Sequence, residues 1–146
     1  VIYLDLTLIT DRLASLQSGG TVDLVAIAAT REAAIDRGAA LPASVWVVPT
    51  TVDPQPEESL SRLKRYAHGF EVLCIVRELA TAPDAGAASY AALRAIRQAV
   101  ADLLEPAVSG WAPTGFEPVD YLGGAMLEST EQAIGCADQY EVAGYC

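Results

Sequence analysis

The chain has little of what most often carries chemistry. It contains one histidine, His68, and three cysteines, Cys74, Cys136 and Cys146, which are odd in number, widely spaced and without a Cys-x-x-Cys pair. This pattern argues against a disulfide framework and against a zinc site built from the usual ligands. His68 and Cys74 fall on one face of the same predicted strand, about 20 Å apart at ~3.3 Å per residue, so they cannot act as a Cys/His catalytic pair. His68 reads as a strand residue with a satisfied ring rather than a general base. The acidic residues show no calcium-loop spacing. Gly123-Gly124 lacks the Lys-Ser/Thr pair and the following helix of a phosphate cradle, and reads as a β-bulge or a close backbone approach. No paired acid and base and no activated nucleophile emerges, so neither an enzyme nor a bound cofactor or metal is expected.

Long apolar runs are also missing. The longest uncharged candidate, Gly38 to Val52, is interrupted by Pro42 and Pro49 and falls short of the ~20 residues that span a bilayer. Val1 to Leu13 carries Asp5 and Asp11 and lacks both the basic leader and the small-residue cleavage site of a signal peptide. The expectation is a soluble protein with no membrane partner, folded in a reducing cytoplasm.

Positive charge is scarce. Nine Lys and Arg face nineteen Asp and Glu, for a formal net charge of −10. From Gln98 onward there is no Lys, Arg or His, whereas Asp102, Glu105, Glu117, Asp120, Glu128, Glu131, Asp138 and Glu141 all fall there. Such a surface favours solubility and disfavours adhesion to phosphates, because affinity for nucleic acid comes mainly from Lys and Arg neutralising the backbone. A specific nucleic-acid binder is excluded, although an acidic wall could line a passage through which DNA slides. Arg62, Lys64 and Arg65 form the one basic cluster, read either as loop solvation or as a contact with an acidic neighbour.

What is present is apolar content of 52% in 146 residues, ample for one compact core over residues 1–146. Leu6, Ile9, Leu13 and Leu16 recur at helical spacing and Gly19-Gly20 closes that segment. Thr21 to Gly38 is ambiguous: Val22-Asp23-Leu24-Val25 suits the start of a short strand, but the composition beyond it favours a helix or helical turn over Ala26 to Asp36. Val45-Trp46-Val47-Val48, set between two prolines, predicts a short covered strand, and Thr50 to Arg65 a loop with one or two helical turns over Glu57 to Lys64. Tyr66 to Val76 predicts the longest strand, with Leu73 and Ile75 making its second face partly apolar. A turn over Ala82 to Gly86 precedes a helix capped by Ser89, with Tyr90, Leu93, Ile96, Val100 and Leu103 or Leu104 on its apolar stripe and Pro106 as its stop. Trp111 reads as an anchor under a turn, its indole partly buried. Strands follow near Val119 to Glu128 and Asp138 to Tyr145. The predicted fold class is α/β (α+β), with two main helices packed on one face of a roughly four-stranded, mainly antiparallel sheet.

The set formed by Leu41-Pro42-Ala43-Ser44-Val45-Trp46-Val47-Val48-Pro49, Phe70 to Val76, Asp84-Ala85-Gly86, Gly110-Trp111-Ala112-Pro113, the Gly123-Gly124 strand and the closing Asp138-Gln139-Tyr140-Glu141-Val142 strand resembles the tail terminator proteins of long-tailed bacteriophages. The likeness runs over nearly the whole chain. It implies a structural virion protein of the phage neck, assembled in the host cytoplasm. Its copies would form a homo-oligomeric, hexameric ring that caps the tail tube and offers a surface to the head-side connector. DNA would pass through without being specifically bound. Candidate contacts with a neighbouring subunit or the tube are Arg62, Lys64 and Arg65 with the loop around them, and Glu71, Leu73 and Ile75 on the outer face of the long strand. Trp111, Gly123 and Gly124 are the expected structural anchors. The alternatives are a head-side connector or other minor neck protein and, less well supported by the residues, a small hydrolase or a monomeric binding module.

Overall fold

Hydrophobic spacing at the start of the chain produces the first helix, α1 (Thr7–Ser18), which buries Ile9, Leu13 and Leu16. Two glycines end it: the Gly19 N–H returns to the Ser15 carbonyl, and Gly20 takes the left-handed φ of 79° that a side chain would resist. The computed structural model describes residues 4–58, 62–77, 85–127 and 133–145. The remaining elements are β1 (Leu24–Ile27), α2 (Arg31–Gly38), β2 (Ala43–Pro54), a 3₁₀ turn at Pro56–Glu58, β3 (Arg65–Arg77), α3 (Ala85–Leu104), the single turn α4 (Pro106–Ser109), β4 (Asp120–Met126) and β5 (Ala133–Tyr145).

The strands form one mixed sheet in the order β1-β2-β3-β5-β4, with β1 parallel to β2 and every other pair antiparallel. α1 and α3 lie on one face. There Val45, Val47, Phe70, Val72, Cys74, Cys136, Tyr140 and Val142 meet Leu13, Leu93, Ile96, Val100 and Leu104. The second face carries a smaller core in which Trp46, Val48, Leu73, Ile75 and Ala137 pack under Ala34 and Ile35 of α2. The protein is thus α+β, but with a third helix on the opposite face and a fifth strand.

Both additions come from the segment that was ambiguous in sequence. Leu24–Ile27 is a strand after all, and the helix begins later, where Thr30 caps it by accepting from the Ala33 N–H at 3.1 Å. β1, α2 and β2 make a parallel crossover, and α2 presses so close to the sheet that a Cβ on Gly38 would lie 2.7 Å from Ile75 Cδ1. The β2 strand also runs further than its prolines predicted. Beyond Val47 it has no β1 neighbour and is itself the sheet edge, where the absent N–H of Pro49 and Pro54 breaks no ladder. The predicted loop therefore shrinks: Thr50 to Pro54 is strand, and only Pro56–Glu58 is helical among the described residues of that connection.

In the second half, the predicted turn residues 82–84 lie outside the described residues. α3 begins at Ala85, a full turn before Ser89, because Ala85, Ala87 and Ala88 are strong helix formers, so Ser89 lies inside the helix and does not cap it. Leu93, Ile96, Val100 and Leu104 face the sheet as their spacing requires, whereas Tyr90 is 55% exposed and lines a shallow hollow with Met126 of β4. Pro106 follows the helix end and sits at the first position of α4, whose Gly110 takes a left-handed φ of 67°.

Candidate functional site

β5 is buried along most of its length, and on the α3 side its alternating residues are Cys136, Asp138, Tyr140 and Val142. A carboxylate in that row must be paired, because burying an isolated charge is costly. Asp138, 4% exposed, is met by the Arg97 fork from α3: Nε donates to Oδ2 at 2.9 Å and Nη2 to Oδ1 at 2.7 Å. The Tyr121 hydroxyl of β4 adds a third bond to Oδ1 at 3.0 Å. One carboxylate thereby ties α3, β4 and β5 together. The tie was hidden in sequence, where Arg97 reads as part of the wet face of its helix; the parity of Asp138 among buried residues is the signal that could have exposed it.

The chemistry of this cluster is that of a brace. Hydrogen bonding to Asp138 pushes the Arg97 pKa up. Burial, followed by the bond to Asp138, raises the Tyr121 pKa and keeps its hydroxyl protonated. Tyr140 is also raised by burial and stacks on Phe70 with ring centroids 5.6 Å apart. Cys74 and Cys136 are register partners across β3 and β5, both buried as free thiols, and the contact with Cys136 and then burial hold the Cys74 pKa well above its usual value. A thiol held neutral is not a nucleophile. Among the described residues no group of three His, Cys, Asp or Glu side chains converges to hold a metal. No helix among them is long and apolar enough to cross a membrane.

The two glycines of β4 serve different ends. The register slips between Tyr121 and Gly123, a bulge that Gly123 accommodates at φ 132° with open space around it. Gly124 is there for room: a Cβ at this position would lie 2.1 Å from Asp138 Oδ1 and 3.0 Å from the Tyr121 hydroxyl. Trp111 is half-buried against the larger core, and the Arg12 guanidinium lies 5.2 Å from its ring centroid while Arg12 Nε donates to the Leu103 carbonyl at 2.9 Å.

The candidate contact residues divide. Leu73 and Ile75 are buried beneath α2, and Glu71 accepts from Arg31 at the start of that helix, so the face expected to be outward is an interior surface. The expectation failed because α2 was assigned no place on that face. Arg65 is engaged within the subunit, with Nε donating to Glu117 at 2.8 Å and the guanidinium also reaching Gln55 and Glu58. Arg62 and Lys64 remain exposed, as does Leu63 between them. On the far side of the sheet, β4 exposes Tyr121, Leu122 and Met126.

The site is thus a brace of Arg97, Asp138 and Tyr121 beside an edge strand that exposes Tyr121, Leu122 and Met126. No curated protein matches the chain. The family described as Phage tail terminator protein matches residues 1–145, and the chain therefore belongs to that family, one of structural proteins of the bacteriophage tail.

Proposed function

We propose that the protein ends tail assembly by closing as a hexameric ring on the head-proximal end of the completed tail tube, and that the outer surface of this ring receives the head-side connector. The observation that carries this reading is the family match, which spans residues 1–145. The subunit is suited to the task. A closed ring needs a heterologous contact, in which one copy offers two different patches, and the two sides of this sheet differ in chemistry: β4 is apolar and follows an acidic segment, whereas the β2–β3 connection carries Arg62 and Lys64. The net charge of −10 keeps the ring wall from adhering to DNA in transit.

Electron microscopy of particles assembled with and without this chain tests the proposal. Overlong or headless tails in its absence are expected. Tails of normal length beside defective heads would overturn the terminator reading and favour a head-side connector.

A further inference from the structure

A sheet edge is a ready template for pairing, and proteins normally blunt it. Two of the three edge segments here are blunted. At β1 the Val25 N–H, which points away from β2, is taken by the Gln17 side chain at 2.9 Å. Beyond β1, the edge formed by the end of β2 carries Pro49 and Pro54 and a register irregularity between Pro49 and Val52. The third edge, β4, is open: among the described residues no strand pairs with its outer side, it holds no proline, and nothing from Tyr121 to Met126 is charged. Leu122, 55% exposed, sits at its bulge.

β4 starts with a conflict. Asp120 lies directly opposite Glu141 of β5, and like charges in that position repel. Neither has a cation within ion-pair distance among the described residues. Arg62 and Lys64 are exposed cations with no ion-pair partner among the same residues, and they flank Leu63, itself 52% exposed.

The two patches lie at one end of the sheet. Arg65, which follows the basic corner, is in register with Tyr145 at the end of β5, and Asp120 with Glu141, which faces Gly69, so the start of β4 is set back from the corner by four residues, about 13 Å along the strands. Rotation about a ring axis does not change height along it. The corner and β4 stand two to three strand spacings of ~4.8 Å apart across the sheet, so the two patches come to one height, and are placed to meet, when the strands tilt by roughly 45° from the axis.

We propose that the β4 edge of one copy receives the Arg62-Leu63-Lys64 corner of the next, the two cations pairing with Asp120 and Glu141 and Leu63 covering Leu122. This rests on the ring reading above and names the surfaces through which the ring closes. Charge complementarity identifies the occupant as a second copy, since each copy carries an acidic pair and a basic pair that have no ion-pair partner among the described residues.

Charge exchange tests it. Arg62→Glu with Lys64→Glu, and separately Asp120→Lys with Glu141→Lys, should each lower ring assembly by about ten-fold or more, through like-charge juxtaposition. Assembly is read by sedimentation for the free protein and by electron microscopy of capped tubes. An equal mixture of the two variants, or all four substitutions in one chain, should restore rings to within about three-fold of wild type, because every junction again joins opposite charges. Asp120→Asn with Glu141→Gln covers the case in which the lysine variant fails to fold: it should melt no lower than wild type yet assemble less well. Wild-type assembly by the single-sided variants, or a mixture as defective as its parts, would overturn the inference while leaving intact a ring that wild type forms. Wild type that forms no ring, free or on tubes, would overturn the ring reading itself.

Discussion

Replacing Gly124 with alanine should destabilise the protein, although glycine in a strand interior is ordinarily about 0.5–1 kcal/mol worse than alanine. The reason is the 2.1 Å separation between the new Cβ and Asp138 Oδ1, against an ordinary carbon–oxygen contact of about 3.3 Å or more. The carboxylate or the strand must give way by roughly 1 Å, and bonds of 2.7, 2.9 and 3.0 Å to Arg97 and Tyr121 cannot all survive that displacement. Breaking a buried ion pair costs about 3–5 kcal/mol. Here the Arg97 side chain is 36% exposed and can follow part of the movement, which lowers the expected loss to about 2–3 kcal/mol. For a chain of this size that is a fall in Tm of about 5–10 °C. Urea unfolding of Gly124→Ala in the wild-type and Asp138→Ala backgrounds isolates the cause, because with Asp138 truncated the methyl group meets only the movable ends of Tyr121 and Arg97, at 3.0 and 3.1 Å, and the penalty should fall to about 1 kcal/mol or less. Gly123→Ala, in contrast, should cost about 1–3 kcal/mol in both backgrounds, since its obstacle is a φ of 132°. An equal penalty for Gly124→Ala in both backgrounds, or none in wild type, would refute the reasoning.

Trp111→Ala should cost about 2 kcal/mol, below the ~3–5 kcal/mol of a fully buried aromatic, because the ring is only half-buried; an unchanged urea midpoint would remove it from the core. His68, buried edge-on to Phe116 at 5.7 Å, has its pKa lowered from 6.5 by burial. The unfolded chain therefore binds a proton that the folded chain resists, and stability should fall as pH drops through 6.5 toward the folded-state value and then level off. The urea midpoint of His68→Gln should vary less over about pH 5 to 7, and an unaltered slope would assign the dependence to other groups. Arg65→Gln should lower stability by about 1 kcal/mol through lost contacts with Glu117, Glu58 and Gln55, whereas Arg62→Gln and Lys64→Gln should stay within about 0.5 kcal/mol in the same thermal melts.

Local signals in the sequence were sufficient for some elements. The 3.6-residue period of Ile9, Leu13 and Leu16 with its glycine stop places α1, and the apolar row from Phe70 to Val76 places the long central strand, because each pattern is complete within its own segment. The family resemblance was legible for the same reason, being spread over short motifs along nearly the whole chain. Leu24–Ile27 is too short to declare its type, and its parallel pairing with Ser44–Val47 exists only once α2 has crossed between them. Pro49 reads as a terminator until the sheet shows that it lies on an edge. Leu73 and Ile75 are apolar under either reading, and only the position of α2 decides that they are interior. Arg97 and Asp138 stand 41 residues apart, and although Asp138 shares its parity with Cys136, Tyr140 and Val142, nothing in a local window names Arg97 as its partner. Sequence by itself determined which segments could form helices or strands and that reactive groups are sparse; which faces are covered, which charges are spent inside the subunit and which edge stays open were decided by the tertiary structure, because burial and pairing depend on residues distant in the chain.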